Sequence, residues 1–232
     1  MKPKSIPDET TRRRLFKRRL LAWFRRHGRD LPWRRTRDPY QILVSEVMLQ
    51  QTQVSRVTDY WPRFLERFPT LEHLAAAPPT HVREAWSGLG YYRRAANLHR
   101  LAQTVTRDHG GILPRDPSAL RTLPGIGPYT AGAVASFAWE LPEPAIDTNV
   151  HRVLRRVFHP RVGTNARGMA KLTRLAQALV PRAGNDAWTT NQALMELGAL
   201  ICTARVMRCG SCPVRTACRT GSRDAGRGTR NE

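Results

Sequence analysis

Apolar residues recur along this chain at helical spacing, in segments cut by proline and glycine turns. The apolar-polar alternation that a half-buried strand requires is almost absent. That pattern confines the chain to an all-α fold. The clearest helical segments cover about residues 10–26, 39–53, 55–67, 80–88, 91–107, 116–122, 129–138, 148–157, 166–180 and 186–202, joined by short loops. A chain of 232 residues can bury one sizeable core or two small ones. We expect two helical lobes: a six-helix barrel over 31–134, and a second lobe made by 1–30 with 135–218. Residues 1–8 and 219–232 read as frayed, disordered ends.

The charge then narrows the partner. With 39 lysines and arginines against 18 acids, the net charge is +21, a field that favours a polyanion and nucleic acid above all. Leu20 to Phe24, the longest apolar run after the basic start, is too short for a signal-peptide core. No stretch approaches the ~20 apolar residues of a membrane helix. The expectation from these features is a soluble, intracellular protein whose partner is nucleic acid first and an anionic membrane second.

All four cysteines crowd into Cys202, Cys209, Cys212 and Cys218, spaced C-x6-C-x2-C-x5-C. In a cytosolic chain such a cluster reads as a metal site before it reads as disulfides. Four thiolates suit a [4Fe-4S] cube or a tetrahedral zinc. The gaps fit neither the paired C-x2-C of structural zinc sites nor the short ferredoxin run, so spacing leaves both metals open.

Three further features carry chemistry. In Leu123-Pro-Gly-Ile-Gly-Pro-Tyr-Thr130, Gly125 and Gly127 permit positive φ and let backbone N–H groups approach a phosphate, with Pro128 suited to a first helical turn. An ordinary helix-helix turn has the same composition. Asp147 lies 20 residues after Gly127, in Ala145-Ile-Asp-Thr-Asn149, just before an apolar helical pattern. That is an N-cap position, and one that also keeps a carboxylate ionised, so the two roles can coexist. Glu46 sits in a helix with an apolar face at 40, 43, 44, 47 and 48 and is flanked by Ile42 and Leu49, off any clean polar face. Partial desolvation there would raise its pKa toward general-acid use; a plain surface glutamate is the simpler reading.

The cysteine spacing, the LPGIG hairpin, Ser45-Glu-Val-Met-Leu-Gln-Gln-Thr-Gln-Val54, Leu31-Pro-Trp-Arg34, Gly88-Leu-Gly-Tyr-Tyr-Arg93 and Ala193-Leu-Met-Glu-Leu-Gly-Ala199 together resemble the helix-hairpin-helix base-excision glycosylases. Within that superfamily they look most like the A/G-mismatch adenine glycosylases, over about residues 15–218. The resemblance implies a structural [4Fe-4S] cluster on the four cysteines, with Arg205 and Arg208 turned to phosphate. It implies that Asp147 faces the sugar of an extruded nucleotide, stabilising an oxocarbenium ion or bonding to C1′, with Asn149 orienting it. Glu46 would protonate adenine at N7 and later handle water. Gln50, Gln51 and Tyr91 would wedge the duplex, with Leu49 and Thr52 on the same DNA-facing run. Leu123, Gly125 and Gly127 would meet the backbone. Trp33 and Arg34 would line the pocket, core packing and a surface salt bridge being their plainer roles. Tyr129 stands where lytic relatives place a Schiff-base lysine, which implies base removal without efficient strand cleavage. The implied substrate is double-stranded DNA with a mispaired base, adenine opposite guanine or 8-oxoguanine, held in a cleft between the lobes of a cytoplasmic, nucleoid-associated monomer with no membrane partner.

Two departures keep other readings open. Adenine glycosylases commonly carry a further C-terminal domain, whereas 14 residues follow Cys218 here, and Thr148 replaces a glycine usual in many of them. Short chains with the same core occur among thymine/uracil-G mismatch glycosylases. A catalytically silent iron-sulfur DNA-binding protein is the third reading, against which an intact Glu46 and Asp147 argue.

Overall fold

The computed structural model describes residues 8–181 and 186–221, so most of the expected frayed ends lie outside the described residues. Among the described residues there is no strand, and one isolated bridge pairs Cys202 with Met207. The helices are α1 (Glu9–His27), α2 (Pro39–Leu49), α3 (Val54–Arg67), α4 (Leu71–Ala76), α5 (Pro79–Ala85) and α6 (Arg93–His109). They continue with α7 (Pro117–Leu120), α8 (Pro128–Trp139), α9 (Thr148–Phe158), α10 (Ala166–Leu179) and α11 (Asp186–Leu200). The all-α expectation holds.

Local chemistry explains most of the starts. Asp8, Asp38, Thr70, Asp116, Asp147 and Asn165 each place a side-chain oxygen on first-turn amides that have no helical acceptor. Proline opens α2, α5, α7 and α8, where its missing N–H costs nothing. Three segments depart from expectation. The run 39–53 stops at Leu49, because Gln51 turns left-handed at φ 57°. The run 80–88 shortens to Pro79–Ala85, and α4 forms where no helix was expected. Six residues are too few to display a helical period, and α4 rests on its Thr70 cap and on packing against α6.

The chain divides into two compact units. Asp30–Ala145 forms one; the other joins the chain up to Arg29 with the chain from Ile146 onward. In the first, α2 packs against α3, α6 and α8, and Tyr40 and every residue from Ile42 to Met48 are buried. A helix covered all round reads as apolar on every face, which is why α2 shows no amphipathic stripe. In the second, α9 packs on α10 and α11, and α1 on α11. Phe16, Leu20, Leu154, Phe158, Leu172 and Leu197 form its core, with Phe16 edge-on to Phe158 at 5.1 Å between ring centres. One buried phenylalanine of this kind contributes about 3–5 kcal/mol. Glu196 is 1% exposed and is gripped by Arg29 through its backbone N–H and two guanidinium nitrogens at 2.8–3.0 Å, a structural ion pair. No helix among the described residues is long and apolar enough to cross a membrane.

Candidate active site and cysteine pocket

Glu46, midway along α2, is 3% exposed. The sequence suggested partial desolvation; burial is nearly complete because neighbouring helices cover α2. Tyr129, in the first turn of α8, donates its hydroxyl to Glu46 Oε2 at 2.5 Å. That bond fixes the plane of the carboxyl. The small residues of α8, Ala131-Gly-Ala-Val-Ala135, let α2 come close enough for it.

The hairpin before α8 divides its two glycines. Gly125 is left-handed at φ 79°, and a Cβ there would stand 2.8 Å from Asn97 Cβ. Gly127, expected to need the same freedom, sits at φ −95° as the α8 N-cap, a conformation open to any residue. What it supplies is open space, since a Cβ would meet nothing within 4 Å. Leu123 is buried, and no side chain caps the first turn of α8. Trp33 is buried edge-on to Trp61, the placement that core packing requires, and Arg34 is half-buried. Leu49, Gln50 and Thr52 are half-buried, Gln51 is exposed, and Tyr91 is 61% exposed. Gln51 and Tyr91 both hold positive φ, 57° and 48°, a conformation that costs a non-glycine residue ~1–2 kcal/mol.

In the other unit, Asp147 caps α9: Val150 N–H and Asn149 Nδ2 each donate to its carboxylate at 2.7 Å. Burial pushes this carboxyl above its ordinary value, and those two bonds oppose the shift. Asn149 is itself held, because its Oδ1 accepts from Arg152 Nη2 at 2.7 Å, which leaves its amide one satisfied orientation. Gly198 lies so close that a Cβ would be 2.6 Å from Asn149 Cβ. Arg152 also donates to the carbonyls of Gly198 and Cys202, both at 2.8 Å. A continuous chain of bonds therefore runs from the Asp147 carboxylate to the backbone of the first cysteine.

Cys202, Cys209, Cys212 and Cys218 line one apolar cavity with Val157, Leu197 and Val214. Arg156 Nη1 approaches Cys202 Sγ at 3.4 Å, and Gly221 N–H approaches Cys218 Sγ at 3.3 Å. Burial pushes the Cys212 thiol up to about 11 and raises Cys218 too, so thiolates here need a cationic centre to hold. Among the described residues no three His, Cys, Asp or Glu side chains are grouped to hold a metal ion. The shared cavity gathers all four sulfurs, a donor set that suits a [4Fe-4S] cube or a tetrahedral zinc. Arg205 and Arg208 are exposed on the loop between the first two cysteines.

Arg94, Arg152 and Arg156 organise these regions, and the sequence reading passed over all three. Arg94 carried a signal: it shares a helical stripe with Leu98, Leu101 and Val105, all buried, which is an unusual place for a cation.

The geometry can be set beside known proteins. Residues 44–182 match the family described as HhH-GPD superfamily base excision DNA repair protein. The chain is 46% identical over 209 residues to the adenine DNA glycosylase of Mycobacterium tuberculosis, covering 90% of this chain and 68% of that protein. Its fold is similar to a thermostable thymine-DNA glycosylase at a TM-score of 0.86 and 31% identity, covering 92% of this chain and 98% of that one. It is also similar to endonuclease III in a trapped covalent DNA intermediate, at a TM-score of 0.78 and 25% identity, covering 93% and 98%.

Proposed function

Because this chain belongs to the HhH-GPD superfamily of base excision DNA repair proteins, we propose that it is a DNA N-glycosylase that hydrolyses the bond between deoxyribose and a mispaired adenine. The observation that carries the reading is a buried carboxyl, Glu46, fixed by the Tyr129 hydroxyl. A base must leave the stack to be reached. Glu46 then gives its proton to adenine N7, which turns the base into a neutral leaving group. Asp147 stays anionic and stabilises the positive charge that grows on the sugar as the bond breaks. Water adds at C1′, and the Glu46 carboxylate takes the water's proton, restoring the acid. Tyr129 has no amine with which to form a Schiff base, so the phosphodiester chain stays intact. The substrate is duplex DNA with adenine opposite guanine or 8-oxoguanine, bound by a monomer wherever the genome lies, and drawn in by the +21 charge.

The cysteine pocket belongs to a [4Fe-4S] cluster in this proposal. When bound, the cube supplies cross-links and negative charge rather than chemistry on the base. Cys202, Cys209, Cys212 and Cys218 would hold it, and Arg156 would donate toward the Cys202 sulfur.

Single-turnover release of free base tests the proposal. Wild type releases adenine from A·G duplexes, and Glu46→Gln slows this by about 10²–10⁴-fold while mismatch binding persists. The likeness to a thymine-DNA glycosylase favours a second reading, removal of thymine or uracil opposite guanine. That reading replaces ours if wild type ignores adenine and releases the pyrimidine with Glu46→Gln as active as wild type. Binding without any base release leaves a silent DNA-binding protein.

A further inference from the structure

Arg94 is 8% exposed at the start of α6, and no carboxylate among the described residues meets its charge. Its Nη1 donates to the carbonyls of Val47, Met48 and Gln50 at 3.0, 2.7 and 2.5 Å. Its Nη2 donates to Thr52 Oγ1 and to the carbonyls of Leu89 and Gly90 at 3.0–3.1 Å. The guanidinium lies 5.4 Å from the ring centres of both Trp86 and Tyr91. These contacts fall on two stretches far apart in sequence. The carbonyls of Val47 and Met48 are among the last of α2, which lack helical partners and form the negative end of its dipole. The other stretch is the Gly88–Tyr91 turn, with Gly88, Gly90 and Tyr91 all at positive φ. Each stretch carries one exposed non-glycine residue, Gln51 on one and Tyr91 on the other, and each is held left-handed.

We propose that Arg94 is a positioning residue that binds the α2 exit loop and the 88–91 turn into one rigid two-pronged wedge, with Gln51 and Tyr91 as prongs that enter the duplex and hold the target base out of the stack. The role rests on the glycosylase reading above. A planar fork with donors on two nitrogens is what this junction needs: one lysine ammonium, a point donor, cannot span both stretches at once. Neither prong residue favours its backbone conformation alone, so the wedge exists in the unbound protein because the guanidinium and the two rings near it hold it. Preorganised prongs spare the protein the ordering of two loops during base extrusion.

The test uses Arg94→Lys in the full chain with a duplex carrying 2-aminopurine in place of the target adenine, whose fluorescence rises when it leaves the stack. The expected result is mismatch affinity within about threefold of wild type, with extrusion largely lost and single-turnover excision of adenine down by about 10²-fold. Placing an abasic analogue opposite the target adenine removes most of the work of extrusion and should bring the variant to within about tenfold of wild type. A merely structural defect depresses both substrates equally, and that result overturns the proposal. Because Arg94→Lys can unfold the α2 exit, hydrogen exchange on wild type gives a second measure. Amides at 50–52 and 88–91 should exchange with one common protection, and independent opening of the two stretches also overturns it. Extrusion is read without base release, so a wild type that extrudes but never excises sinks the glycosylase reading and leaves the wedge standing.

Discussion

Arg94, buried, and Arg152, half-buried, both bond mainly to backbone carbonyls, one in each unit, yet they hold different things. Arg94 grips only its own unit's main chain and one hydroxyl, with two rings close by, so the shape it fixes is complete in the bare polypeptide. Arg152 grips Asn149, which orients Asp147, and the carbonyl of Cys202. Its anchor is therefore a residue whose own place depends on whatever the four cysteines hold. The difference teaches that loss of a metal should reach the Asp147 carboxylate and leave the Glu46 unit unchanged.

The largest effect comes from breaking that anchor outright. Anaerobically purified protein should carry about four irons per chain, as one cube on four thiolates requires. Chelation, or Cys202→Ser, should abolish excision and strip hydrogen-exchange protection from α9 and α11 while α2, α6 and α8 keep theirs. Equal loss of protection in both units would erase the comparison, and stoichiometric zinc would replace the cube. Next in size is Arg152→Gln with the cluster intact. It removes the links to Cys202 and Gly198 and leaves Asn149 to turn, so excision should slow by about 10–100-fold with mismatch affinity kept, the usual cost of losing a support around a metal ligand. Unchanged excision would show that Asn149 is held well enough by the close approach of Gly198 alone.

What the sequence disclosed follows from how far each cause lies from its effect. Asp38, Asp116, Asp147 and Asn165 announce helices because each cap acts on amides two or three residues away. Glu46 was legible as an acid without a polar face, though its near-complete burial was not, because that depends on helices packed from elsewhere in the chain. The partners of Arg94 lie 42 to 47 positions back, apart from its neighbours at 89 and 90, and those of Arg152 on Cys202 lie 50 positions ahead. No local rule pairs such residues. The same distance hides why α2 stops at Leu49: helix-compatible residues run on to Gln53, but Arg94 takes the carbonyls of Val47, Met48 and Gln50 and the chain turns at Gln51. Gly127 was legible in part: its φ is negative, but the open space that lets backbone approach a ligand is there.

The smallest effect concerns the electrical state of Asp147, and it sharpens the comparison from the other side. Burial raises its folded pKa above the ordinary 3.8, so the carboxyl's favourable contribution is full below that value and is lost as pH rises through the folded one. At pH 7 the ionised group is therefore a burden on folding. Asp147→Asn removes the burden. It keeps the bond from Val150 N–H, because asparagine caps helices as well as aspartate does, but it sets two amide NH2 groups against each other at Asn149, a loss of about 1 kcal/mol. That loss does not change with pH, whereas the relief does. The Tm of Asp147→Asn relative to wild type, both loaded with metal, should accordingly fall as pH is lowered from 7 toward 3.8. A margin that instead grows toward acid would mean that Val150 and Asn149 outweigh burial and hold the carboxylate ionised at no cost to folding. Excision by Asp147→Asn should be lost at every pH, since no protonation restores the charge beneath the sugar.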